Sequence, residues 1–116
     1  MMAQDYKTAK ELGNTILEAT KGRDVVVIAS TDFSHYIPKE AARQQDKIAI
    51  DSIVALDSKE LLKNVQRYNI SMCGYGPVVA MLEAVNGTRA ELVKYATSGD
   101  VRPMRDVVGY GAIIVE

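Results

Sequence analysis

Tryptophan is absent from this chain of 116 residues, and cysteine, histidine and phenylalanine occur once each. A lone cysteine cannot form an internal disulfide, so the fold must rest on packing, and a reducing cytoplasm is the expected setting. Charge of either sign is not in excess: 14 basic against 15 acidic residues leave a net charge of −1. That balance offers no electrostatic footprint for nucleic acid or for an anionic membrane surface, so neither is expected as a partner. No apolar run approaches the roughly 20 residues that a membrane-spanning helix needs. Asp5, Lys7 and Lys10 interrupt the N-terminal stretch, which is therefore not expected to act as a secretory signal. What remains is 47% hydrophobic and 25% charged, ordinary values for one globular domain covering residues 1–116.

Helical and strand-like segments alternate along the chain, which predicts an α/β class. Asp5 is placed to cap a first helix whose apolar positions are Tyr6, Ala9, Leu12, Gly13, Ile16 and Leu17, with Gly22 just past its end. Val25–Ala29 is β-branched without polar alternation, the pattern of a strand buried on both faces of a mostly parallel or mixed sheet flanked by helices. A loop over 32–37 leads to Pro38, which suits the first turn of a second helix lined by Ala41, Gln45, Ile48, Ala49, Ser52, Ile53 and Leu56. Asp57 and Glu60 have capping-box spacing before a third helix that runs to Tyr68. A fourth helix starts around Pro77 and stops at Asn86-Gly87. Strands are predicted around Glu91–Ala96 and Val107–Val115, with a loop over 97–103 between them.

Two segments could carry chemistry. In Ser30-Thr31-Asp32-Phe33-Ser34-His35-Tyr36, the single histidine stands three residues after a carboxylate that could orient its ring or share its proton. The same residues also suit a turn in which Asp32 and Ser34 bond the local backbone and His35 lies at the surface. In Met72-Cys73-Gly74-Tyr75-Gly76-Pro77, a helix start near the sulfur favours thiolate, the form that binds metal or attacks an electrophile. Against that, a lone cysteine serves equally as a small buried hydrophobe. One His and one Cys fall short of the roughly three protein ligands that iron or zinc requires, so a metal would need ligands from outside this chain. Thr97, Ser98 and Asp100 could offer hydroxyls and a carboxylate to a pocket, or simply form a turn. Tyr36, Tyr75, Tyr95 and Tyr110 could wall that pocket or pack the sheet. Gly74-x-Gly76 lacks the third glycine and the preceding strand of a dinucleotide fingerprint.

Four motifs in one order nevertheless resemble a known family. Ala29-Ser30-Thr31-Asp32-Phe33-Ser34-His35-Tyr36, Cys73-Gly74-Tyr75-Gly76-Pro77, Lys94-Tyr95-Ala96-Thr97-Ser98-Gly99-Asp100 and Val108-Gly109-Tyr110-Gly111 are similar to the C-terminal part of the Memo family. It is also called the AmmeMemoRadiSam system protein B family. The resemblance implies a fold like that of the class III extradiol dioxygenases. It implies that Cys73 matches a metal-binding cysteine that works with two histidines of an N-terminal half, which have no counterpart here. His35 then matches an acid–base residue beside the metal, and Asp32 the carboxylate of the same motif. Around them, Ser34, Tyr36, Gly74, Tyr75, Thr97, Ser98 and Asp100 would line the pocket.

Met1-Met2-Ala3-Gln4 runs into the first helix without turn chemistry, which fits the expectation of a C-terminal fragment of a longer Memo-like domain. Iron or copper is implied for an intact parent, and no tightly bound cofactor is expected on this chain. A homo-oligomer, or association with the missing N-terminal half, is expected to cover the strand at Val25–Ala29. The implied function is part of a non-haem, metal-dependent redox site that is incomplete in this chain. The alternatives are a binding module for a peptide or small molecule, without turnover, and an inactive remnant that only folds.

Overall fold

A computed structural model describes residues 4–116. The expectation about the start of the chain rests on Met1–Gln4, of which Met1–Ala3 lie outside the described residues. Helix α1 spans Tyr6–Thr20, and the Asp5 carboxylate accepts the Thr8 N–H at 2.8 Å, as the capping pattern predicts. A short strand β1, His35–Pro38, leads into α2, Lys39–Val54. Helix α3, Ser58–Arg67, begins where Asp57 accepts the Glu60 N–H at 3.0 Å. Helix α4, Tyr75–Val85, ends at Asn86, whose φ of 49° places it in the left-handed region that stops a helix. Strand β2, Ala90–Thr97, the single helical turn α5, Ser98–Val101, and strand β3, Asp106–Val115, complete the order.

The sheet is not mostly parallel. Its three strands run in the order β1-β3-β2, and β3 pairs antiparallel with both neighbours. The connection between β2 and β3 explains this: residues 98–105 are too few for the crossover of about a dozen or more residues that a parallel pair requires. The segment expected as loop over 32–37 contains β1, and Pro38 is the residue that caps α2 rather than part of its first turn. The loop over 97–103 contains α5 and the end of β2.

The largest correction is Val25–Ala29, which forms no strand. Val26 and Ile28 are 86% and 84% exposed, and between Asp24 and Asp32 the backbone makes no backbone hydrogen bond to a described residue. Strand propensity expresses fit to a neighbouring ladder, so without one a β-branched run stays extended and unpaired. It borders an apolar groove of about 260 Å³ walled by Met81, Val85, Ile113 and Val115.

The core lies between the helices and one face of the sheet, with Phe33, Ile53, Leu61, Met72, Val79 and Val107 all at 2% exposure or less. On α2 the buried residues are Ala42, Asp46, Ala49, Ile50, Ser52 and Ile53, so Ala41 and Gln45 sit beside this stripe rather than on it. These burials predict a contrast. Leu61→Ala should cost about 2–5 kcal/mol by removing packed atoms. Ile28→Ala should stay within about 0.5 kcal/mol, because its side chain stands in water. Urea denaturation of the two variants measures both.

Candidate functional site

The two loops singled out above meet. The ligand atoms of Asp32, His35 and Cys73 all lie within 4.8 Å of one another, although Cys73 is far along the chain from the other two. Asp32 and His35 are half-buried and Cys73 is exposed, so the group opens to solvent. His35 Nε2 stands 3.6 Å from Asp32 Oδ2.

Several local devices bring this about. At the start of β1 the pairing with β3 slips between His35 and Ile37, and Tyr36 takes a φ of 53°, rare for a residue with a side chain. A bulge of this kind re-aims the side chains beside it. Ser71 then holds His35 at two points: its hydroxyl accepts the His35 backbone N–H at 2.8 Å, and its carbonyl lies 2.7 Å from Nδ1. A carbonyl can only accept, so Nδ1 carries a proton, and Nε2 is the nitrogen left facing Asp32.

Thr31 joins the loops. Its hydroxyl donates to the Asp32 carbonyl at 2.8 Å, accepts the Gly74 N–H at 2.8 Å, and lies 3.6 Å from Cys73 Sγ. Only glycine allows this approach at 74, since a Cβ there would come within 2.6 Å of Thr31 Cβ. Gln4 braces the far side, donating to the Cys73 carbonyl at 3.3 Å and accepting the Gly76 N–H at 3.0 Å. Among the described residues, the partners within reach of Cys73 Sγ are the Thr31 hydroxyl and, at 3.9 Å, the Asp32 carbonyl. The expected backbone N–H groups are not among them.

The remaining residues proposed for the pocket divide. Gly74 belongs to the meeting of the loops, and Tyr36 is 77% exposed beside the His35 ring. Tyr75 packs against the core instead. Ser34 is fully buried, and both its N–H and its hydroxyl donate to Asp46 at 2.9 Å. Thr97, Ser98 and Asp100 are occupied by the turn they build. Asp100 accepts the Thr97 N–H at 2.7 Å, and the Ser98 hydroxyl accepts the Val108 N–H at 3.0 Å. The Lys39 ammonium beside it, then the Thr97 N–H, hold the Asp100 carboxyl well below its ordinary range.

The Memo-like protein family matches residues 1–114. The chain belongs to the Memo family. It is 50% identical, over its whole length, to a MEMO1 family protein of Methanocaldococcus jannaschii, of which it covers 42%. It is 48% identical over its whole length to a MEMO1 family protein of Methanosarcina mazei, covering 46% of it. For a relative in Methanopyrus kandleri the identity is 47% over 98% of the chain, covering 42% of that protein. The chain thus spans under half the length of these curated relatives. No helix among the described residues is long and apolar enough to cross a membrane.

Sequence reasoning on this Memo-family chain missed Asp46 and Ser71. Asp46 was legible in principle, since it falls at helical spacing within the stripe Ala42, Ala49, Ile50, Ile53. Ser71 acts through a backbone carbonyl, which no side-chain pattern marks. Asp46 also receives the Tyr95 hydroxyl at 2.5 Å. Burial first, then this bond to a carboxylate, pushes the Tyr95 phenol far above its ordinary value of 10.0. The folded chain therefore keeps a proton that the unfolded chain releases. The contribution is intact below that ordinary value and falls progressively as pH rises from it towards the raised value of the folded chain. Urea denaturation between about pH 8 and 11 should show stability falling at the alkaline end. Tyr95→Phe should flatten that fall.

Proposed function

We propose that this chain supplies one wall of a metal-dependent redox site in a Memo-family protein, with Cys73 as a metal ligand and His35 and Asp32 as the proton-handling pair beside it. The observation that carries this reading is the convergence of three ligand atoms of different chemistry within 4.8 Å. A cysteine sulfur suits iron or copper, and the imidazole and carboxylate stand close enough to serve a group bound there. Such a metal would supply one-electron chemistry and polarise a bound oxygen atom.

The chain's own part follows from its hydrogen bonds. With Nδ1–H held by the Ser71 carbonyl, His35 can take a proton only at Nε2, the nitrogen that stands 3.6 Å from Asp32. The Asp32 carboxylate faces that nitrogen. Cys73 sits across from both and is open to solvent, so a ligand can approach the sulfur and the ring together. Further metal ligands would come from outside this chain, in keeping with relatives more than twice as long.

Cobalt(II) tests the reading, because a thiolate bound to cobalt gives an intense near-ultraviolet band. Titration of the chain should produce that band, a chelator wash should remove it, and Cys73→Ser should abolish it. Cobalt that survives the wash would contradict an incomplete site. A silent titration of the unaltered chain would sink the metal reading and favour a pocket that binds without turnover.

A further inference from the structure

The interior of this small domain contains one carboxylate with no exposure at all, Asp46 on α2. No cation pairs with it among the described residues. A buried carboxylate is costly unless donors surround it, and an apolar residue at the same place on the stripe would pack without that cost. Asp46 finds three donors: the Ser34 N–H and the Ser34 hydroxyl, each at 2.9 Å, and the Tyr95 hydroxyl at 2.5 Å. Two of the three belong to the residue immediately before His35.

The surroundings are shaped around this contact. Position 109 admits only glycine, since a Cβ there would collide with the Asp46 carboxylate. Gly109 in turn holds the other edge of the same stretch: its carbonyl accepts the Phe33 N–H at 2.9 Å and its N–H donates to the Ser34 carbonyl at 3.0 Å. Phe33 and Ser34 are thus gripped by β3 on one side and by Asp46 on the other, and His35 leaves this grip directly into the Ser71 clamp.

We propose that Asp46 is a positioning residue for His35: through Ser34 it fixes the backbone from which the imidazole reaches the Ser71 carbonyl, and so sets which ring nitrogen faces Asp32 and Cys73. The inference rests on the reading of His35 as a proton-handling residue, and it gives a buried group outside the site a defined effect on that residue. Tyr95 completes the anchor from β2, so the sheet, α2 and the site loop share one carboxylate.

The single histidine makes the effect directly observable, because every imidazole nitrogen signal belongs to His35. Nitrogen-15 NMR on the metal-free chain, at a pH where the ring is neutral, should show the Nδ1–H tautomer in the unaltered protein. Asp46→Asn and Ser34→Ala should fold and lose that preference, reverting towards the Nε2–H form that a free histidine side chain favours. Leu82→Val, a core truncation in α4, should lower stability and leave the tautomer unchanged. If Asp46→Asn fails to fold, Ser34→Ala, which removes a single hydroxyl bond, decides the matter. An Nε2–H ring in the unaltered chain would overturn the proposal. So would an unchanged tautomer in a folded Ser34 variant, or an equal shift in Leu82→Val. The spectra need no metal, so a silent cobalt titration leaves this result standing by itself.

Discussion

A carboxylate removed from water, with no cation at hand, must be stabilised by hydrogen-bond donors, and the donors must be held where it needs them. Asp46 imposes that condition on this fold. Its oxygens draw the 33–34 segment onto α2, bring the Tyr95 hydroxyl of β2 to the same point, and leave no space for a side chain at Gly109 of β3. Three stretches that are distant in sequence thereby share one fixed centre. The alternative, an unsatisfied buried charge, would cost several kcal/mol, a large share of what a domain of this size has in reserve.

The second constraint is connectivity. With residues 98–105 as the only chain between β2 and β3, the two strands must run antiparallel, and β1 adds to the free edge of β3. Neither edge of this small sheet is extended by Val25–Ala29, which lies uncovered beside the groove of Met81, Val85, Ile113 and Val115. The relatives are more than twice as long as this chain. A segment rich in Val and Ile stands in water here, since strand propensity takes effect only beside a neighbouring ladder.

Helix caps and stops were the features most readable from sequence, because each depends on one or two neighbouring residues. Asp5, Asp57 and Asn86 do what their chemistry requires. The strands at 90–97 and 106–115 were also readable, since their partners are nearby in the chain. Strand direction and the state of Val25–Ala29 were not, because both depend on what lies alongside rather than on the residues themselves. The motifs around Asp32, His35 and Cys73 stood out as chemistry, but the parts that place them did not. A serine carbonyl carries no signature of its own, and the buried Asp is marked only by its place on the apolar stripe of α2.

The two walls of the site are held by unequal means. The His35 wall grows from buried hydrogen bonds at Ser34 and from pairing with β3. The Cys73 wall rests on the Thr31 hydroxyl and on Gln4, contacts that are exposed or only partly buried. Hydrogen bonds that water can reach open at lower free energy than those in a core, and the Ser71 clamp on His35 is exposed as well, so the buried anchor at Ser34 is the firmest part of the site. The arrangement suits the chemistry proposed for it. A proton carrier works through one nitrogen and one direction, and it needs its ring fixed before the reaction begins.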